Sequence, residues 1–263
     1  MKPIYTVHIV GSGNVAVYLL ELLKNNELFV VKQVVARRAE AAQALAQRFG
    51  IMASGTLSDL NKTADIYIVA INDDSLEAVN QQLQLPGKLV VHTSGTASVQ
   101  ALGRVSAERG VLWPVYSVRK ENLPAAGEVV WAIDGSTETA LQTMQLLAGA
   151  LLGKMVSVLR DEDRRVAHLA SVWGNNFANH MMAVAQQLME ARGLSFEVIR
   201  PLLLGGLKGL AAQMPMQLQT GPAIRGDRQT MERHGQLMTA TPELQQLYEA
   251  ISLAIAHTHR HES

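Results

Sequence analysis

Three groups of residues in this chain have the types and spacing that could do chemistry. The first is Gly11-Ser12-Gly13-Asn14-Val15-Ala16, which fits the pattern G-x-G-x-x-G/A. It follows an apolar run at 5–10 and opens a segment of helical periodicity at 15–24. In that setting Gly11 permits a tight turn, and Gly13 lets the backbone approach a pyrophosphate with no Cβ in the way. Ala16 keeps helix and strand close, and the helix N-terminus adds free N–H donors and partial positive charge. The second group is Arg37 and Arg38, at the end of the next apolar run, 29–36. A carboxylate at that place would bind both ribose hydroxyls of NAD. Two guanidinium groups suit the 2′-phosphate of NADP instead, through charge-assisted and bidentate hydrogen bonds. Glu40 falls a few residues into the following helix, where an acid favours the N-terminus.

The third group lies in the long polar-and-apolar helix that starts near Asp163. At about 100° per residue, His168, Ser171, Asn175 and Asn179 fall within about 80° of one another. Leu169, Ala170, Trp173, Phe177, Met181, Val184 and Leu188 take the other side. The first stripe is polar but uncharged, unlike an ordinary solvated face, and is as consistent with a buried, partnered helix as with the lining of a cleft. In a cleft, His168 could protonate a carbonyl oxygen or imine nitrogen, with Asn175 or Asn176 holding the substrate or orienting the imidazole. Lesser candidates sit at the ends of two further strands. The backbone at Ile71 and Asn72 could line the nicotinamide ribose, and one of Asp73, Asp74 or Ser75 reads as a helix cap. Ser94 and Gly95 could present a hydroxyl and N–H groups to the ring or substrate, or form only a structural turn.

These residues need a scaffold, and the patterning predicts one. Apolar runs at 5–10, 29–36, 65–71, 88–93 and 110–116 alternate with helical segments at 15–24, 39–50, 73–83 and 97–105. Strands at 129–134 and 154–159 flank a helix at 137–152. Strand–helix alternation of this kind implies an α/β domain, a doubly wound (Rossmann) mostly parallel sheet. Beyond Leu159 the strand patterns stop, and long helices are predicted at 163–192, 195–214, 227–239 and 242–261. The expected organisation is an NADP-binding domain at 1–159 and an all-α substrate and dimerisation domain at 160–263.

The bulk properties exclude several classes. Lys+Arg and Asp+Glu balance at 23 each, so no overall field favours nucleic acid or a membrane surface. There is no cysteine, hence no disulfide, thiolate metal site or cysteine nucleophile. The chain enters its first strand without a signal-peptide layout, and a cytoplasmic protein is expected. Residues 166–189 carry no Asp, Glu, Lys or Arg, yet hold too many Asn, Gln, His and Ser side chains to face lipid. His8 lies inside the first strand and reads as a sheet-face residue. His257, His259 and His261 with Arg260 form an imidazole-rich end whose spacing suits no rigid helical pair except His257 and His261; no functional metal site is expected there or elsewhere.

The motifs "GSGNVA", "INDDSL", "HTSG", "HLASVWGNNFANH" and "TGPAIRGD" occur in an order that resembles a known family nearly end to end. These are NADP oxidoreductases that join a Rossmann-like N-terminal domain to a helical C-terminal domain of unknown function. They lie in the superfamily of 6-phosphogluconate dehydrogenase, β-hydroxyacid dehydrogenases, ketopantoate reductase and pyrroline-5-carboxylate reductase. The resemblance implies NADP held by Gly11, Ser12, Gly13, Asn14 and Val15 with Arg37 and Arg38, a cleft between domains, and a homodimer through the helical part. It places Thr220–Asp227 near that cleft, of the same subunit or of the partner. β-Hydroxyacid dehydrogenases carry a lysine–asparagine pair on the first interdomain helix, which this chain lacks at 168–172. Trp113-Pro114 stands where related chains often have His-Pro. The expected function is hydride transfer between NADPH and a small carbonyl or imine substrate, with a carboxylate on the substrate hinted at by Arg225 and Arg228. The alternatives are a non-catalytic NADPH-binding regulator and an imine reductase of the pyrroline-carboxylate type.

Overall fold

In the computed structural model, which describes residues 4–153 and 155–259, eight strands make one sheet. They are β1 (Tyr5–Val10), β2 (Phe29–Val35), β3 (Met52–Ser54), β4 (Ile66–Val69), β5 (Leu89–His92), β6 (Arg109–Val115), β7 (Val130–Gly135) and β8 (Met155–Val158). Their spatial order is β3-β2-β1-β4-β5-β6-β7-β8, and every neighbouring pair is parallel except β6 with β7. The chain therefore leaves β1 in one direction along the sheet and returns to its other side at β4. That reversal makes the crevice beyond the carboxyl ends of β1 and β4 the place where such sheets bind ligands.

Period-two side chains explain why helices cover both faces. Val7, Ile9, Ile66, Ile68, Leu89 and Val91 point into one core, with α1 (Asn14–Leu23), α2 (Ala39–Phe49) and α4 (Glu138–Ala150). Val10, Tyr67, Val69 and Val90 point into the other, with α3 (Leu76–Gln82), Leu60, Leu102 and Val105. The polar residue of β1, His8, sits on the second face, its Nδ1 2.9 Å from the Asn61 carbonyl and its ring edge-on to Tyr67. Burial lowers its pKa, against the opposing pull of that carbonyl.

Several elements differ from their expected form. The predicted helix at 97–105 is a chain of turns, with Ala101, Gly103 and Val105 N–H donating to the carbonyls of Ser98, Gln100 and Leu102. Arg104 N–H, which a helix would use, donates instead to Asn80 Oδ1 at 2.9 Å, and serine side chains hold the entry to the stretch. Ser94 Oγ accepts from Thr96 and Ala97 N–H, and Ser98 Oγ from Gln100 N–H. β3 joins the sheet edge from a three-residue run too short to stand out in the sequence. The predicted helix at 163–192 starts at Asp161 and is interrupted. α5 (Asp161–Ser171) gives way to a π-helical segment, Val172–Phe177, before α6 (Ala178–Glu190). The predicted 195–214 helix is the shorter α7 (Arg200–Gly209), with Pro201 in its first turn, where a missing N–H costs nothing. The last elements are α8 (Pro222–Arg225), α9 (Arg228–Leu237) and α10 (Pro242–His259). His261 and Arg260 lie outside the described residues.

The chain divides into two compact units between Asn179 and His180. The sheet, α5 and the π segment belong to the first. Among the described residues of the second, only Ala223 and Met238 are buried apolar side chains. Leu202, Leu204 and Leu207 of α7, Leu253 of α10, and Leu210 and Met214 just after α7 are each at least half exposed. No helix among the described residues is long and apolar enough to cross a membrane.

Candidate functional site

Strand register lines up the site. Val10 pairs with Val35 of β2 and with Val69 of β4, and Val69 pairs with His92 of β5. Four carboxyl ends therefore stop in one row, and the residues just beyond them become neighbours: Arg37, Gly11, Ile71 and Ser94. At strand spacings near 4.8 Å the row is about 14 Å across.

The two glycines of the first turn do different work. Gly11 (φ +130°) donates its N–H to the Val35 carbonyl at 2.7 Å, and a Cβ there would lie 2.0 Å from the Ala70 carbonyl oxygen. Its glycine is required by the protein's own packing. A Cβ on Gly13 would meet no protein atom within 4 Å. Gly13 caps α1 without a side-chain hydrogen bond, and no acid stands in the first turn. The Cβ side of Gly13 thus opens on space that the fold leaves clear, beside the positive end of a helix. Arg37 and Arg38 are exposed at the end of β2, and among the described residues no acid forms an ion pair with either. Arg38 is the N-cap of α2, again without a side-chain cap. A phosphate-rich dinucleotide fits this donor set.

The ends of β4 and β5 are tied together. Ile71 Cγ2 sits beside Gly11, and Asn72 leads into a short 3-10 turn, Asp73–Ser75, with no side-chain cap from Asn72 or Ser75. The expected cap is corrected here: Asp73 Oδ2 instead accepts the Ser94 hydroxyl at 2.6 Å and the Thr96 hydroxyl at 2.5 Å. The Ser94 hydroxyl is also an acceptor for two N–H groups, so its hydrogen and lone pairs are committed to shaping the 94–97 turn. His92, which sequence reasoning passed over, completes that turn. Its Nδ1 accepts from Ser94 N–H at 3.3 Å, and its Nε2 is 3.0 Å from the Ser98 carbonyl, which fixes an Nε2–H tautomer. The signal was a histidine inside the apolar run "KLVVHT". Burial holds its pKa down at about 4, although the Ser98 carbonyl pulls the other way.

α5 docks on the same turn. Arg164 is fully buried, pairs with Asp161 at 2.8 Å and Asp134 at 3.7 Å, and donates to the Ala97 and Leu159 carbonyls. Asp161 accepts from Ser98 Oγ and from Val99 N–H at 2.9 Å. Burial would raise the Asp161 pKa, but these bonds and Arg164 outweigh it and hold it at about 2. One turn on, the His168 ring lies 5.6 Å from that of Trp113 and packs on Gly95, where a Cβ would come within 2.5 Å of its Cδ2. His168 is half-buried at the carboxyl end of β5. Contacts link Gly11 to Ile71, Asp73 to Ser94 and Gly95 to His168, and the chain itself joins Ile71 to Asp73 and Ser94 to Gly95.

Beyond His168 the expected stripe changes. Ser171 gives its hydroxyl to the Ala167 carbonyl at 2.8 Å, and Asn175, Asn176 and Asn179 are exposed. Asn175 and Asn176 lie within the π segment, whose wider winding alters the phase that a constant 100° step assumes. Single π turns of this kind recur at functional sites. Among the described residues no group of His, Cys, Asp and Glu could hold a metal ion.

Residues 6–95 match the family described as NADP oxidoreductase, coenzyme F420-dependent, and residues 129–255 match the domain of unknown function DUF2520. The Bacteroides fragilis protein BF3122, provisionally assigned as an NADP oxidoreductase, is 29% identical, with 97% of this chain and 98% of that one covered and a TM-score of 0.87. Two more distant structures share the fold. Pyrroline-5-carboxylate reductase from Streptococcus pyogenes is 14% identical over 96% of this chain and 98% of that one, with a TM-score of 0.64. The reductive aminase of Aspergillus terreus, solved with NADPH and ethyl levulinate, is 15% identical over 97% and 94%, with a TM-score of 0.70. No curated protein matches the chain.

The buried His92 makes stability depend on pH. Its folded pKa, about 4, lies below the ordinary 6.5, so the unfolded chain binds a proton that the folded chain refuses. The resulting stability is present above pH 6.5 and is lost as pH falls towards 4, by about 2 kcal/mol between pH 7 and 5. Urea unfolding at those two pH values should show this loss, and His92→Leu should remove most of the difference. Equal pH dependence in the two proteins would contradict the assignment.

Proposed function

From a chain that joins an NADP oxidoreductase domain to a C-terminal domain of unknown function, we propose an NADP-dependent oxidoreductase acting on a small carbonyl or imine compound. The observation that carries it is the single row of strand ends, with a basic pair at one end and His168 at the other. N–H groups of Ser12, Gly13, Asn14 and Val15 hold the pyrophosphate, and Arg37 and Arg38 take the 2′-phosphate. Backbone at Ile71 and Asn72 lines the adjoining ribose. Ser94, its hydroxyl already spent on Asp73, shapes the turn that seats His168 rather than touching substrate. NADPH, when bound, supplies the hydride. His168 gives one proton to the carbonyl oxygen or imine nitrogen and regains it from water, while Asn175 and Asn176 orient the substrate by their carboxamides.

The proposed division of labour places cofactor binding in 1–159 and substrate binding and dimerisation in 160–263. A cytoplasmic setting goes with it. A second copy of the chain is the partner that the second unit needs. With only Ala223 and Met238 as buried apolar side chains among its described residues, that unit does little to offset the conformational entropy of ordering its helices, and a homodimer would cover its exposed leucines and methionines. Sedimentation should therefore find dimers at micromolar concentration; a stable, folded monomer would contradict this.

Because the similar solved structures include enzymes named for cyclic-imine and amine chemistry, NADPH oxidation should be screened with cyclic imines and keto acids. On an active substrate, His168→Ala should lower kcat by about 100-fold or more while leaving NADPH affinity unchanged. Full turnover in that variant would remove the acid role. A wild-type protein that binds NADPH but oxidises it with none of the panel would favour the regulatory alternative.

A further inference from the structure

The connection between β6 and β7 returns to the glycine turn, and no motif in the sequence announces it. Val118 and Leu123 anchor the connection in the core that also holds α1, and Tyr18 of α1 donates its hydroxyl to the Ala125 carbonyl at 3.5 Å. Between those anchors the chain makes a tight turn, with Asn122 N–H donating to the Arg119 carbonyl at 3.1 Å. The tip of that turn rests on the first residue of α1: Lys120 N–H donates to Asn14 Oδ1 at 3.3 Å, across 106 positions of sequence. Arg119, Lys120 and Glu121 are all exposed there. Neither cation forms an ion pair among the described residues.

This arrangement gathers two cations that form no ion pair among the described residues, with Glu121 beside them in sequence as the only acid of the tip. The α1 N-terminus carries its own partial charge, its first turn has no acid, and the tip whose backbone rests on it bears two exposed cations. Their mutual repulsion is a cost that a bound anion would remove. Asn14 lies within the glycine turn, so the anion nearest Lys120 is the one that turn receives, not a 2′-phosphate beyond β2.

We infer that Arg119 and Lys120 form a second set of contacts to the pyrophosphate of the bound dinucleotide, supplied by the β6–β7 connection. This rests on the dinucleotide reading of the glycine turn given above. The connection thereby becomes part of the cofactor site, with Asn14 as the peg that holds it in place and Glu121 as a brake on its charge.

The test is fluorescence titration of the full-length protein with NADPH and NADH, with 2′-AMP, which lacks the pyrophosphate, as a competitor. Arg119→Ala and Lys120→Ala should each weaken both dinucleotides by the same factor, about tenfold at low salt, and less as salt is raised. Their NADPH-to-NADH ratio and their affinity for 2′-AMP should stay as in the wild type. Lys120→Arg should restore binding, and Glu121→Gln should tighten both dinucleotides; the latter carries the test if an alanine variant loses its fold. Unchanged affinity in the alanine variants, beside a wild type that binds, overturns this inference alone. A loss confined to NADPH also overturns it, because it moves the cations to the 2′-phosphate. A wild type that binds neither dinucleotide overturns both this inference and the reading beneath it.

Discussion

The site depends on one constraint, the register that ends β2, β1, β4 and β5 at Val35, Val10, Val69 and His92. Parallel strands in register present their following residues side by side, so four loops far apart in sequence meet in one row. A slip of one residue in any of these strands would turn its core side chains to the opposite face. The two apolar cores on either side of the sheet forbid that. The precision of the site is therefore inherited from packing: Ile9 and Ile68 on one face, Val10 and Val69 on the other, hold the positions of Gly11 and Ile71.

On that row, polar groups fall into two kinds. Asp73, Ser94, Thr96, His92, Asp161 and Arg164 hydrogen-bond to one another and to nearby backbone, with the buried Arg164 Nε left unpartnered. They set the shape of the 94–99 turn and the seat of α5, and as a network they are worth more together than singly. Gly13, Arg37, Arg38 and the carboxamides of Asn175 and Asn176 are left facing open space. The contrast separates residues occupied by the protein's own packing from residues left open to solvent, and Gly11 beside Gly13 shows it within three positions.

Much of this was legible in the sequence, because the signals were local. A glycine pattern between an apolar run and a helical one marks the turn, and period-two and helical patterns located every strand but β3, whose three residues leave no pattern. The misjudged parts are those where side chains overrule the backbone's default or where partners are distant. Residues 97–105 have helical composition, yet Asn80, outside the stretch, takes the Arg104 N–H and the stretch stays a chain of turns. The π segment at 172–177 has no compositional mark, so a wheel drawn through it places Asn175 and Asn179 in a stripe that need not persist. Asp73 reads as a cap until Ser94, 21 residues on, claims its carboxylate. His92 and the Lys120–Asn14 contact depend on tertiary neighbours that no spacing reveals.

The central claim is that the basic pair after β2 reads the 2′-phosphate at one end of this row. The most direct measurement is the pair of dissociation constants for NADPH and NADH, taken for the wild type and for an Arg37→Ala, Arg38→Ala double variant. Tighter NADPH binding in the wild type, lost in the double variant while NADH affinity holds, is the result this account predicts. A wild type without preference, or a double variant that keeps it, would contradict the account.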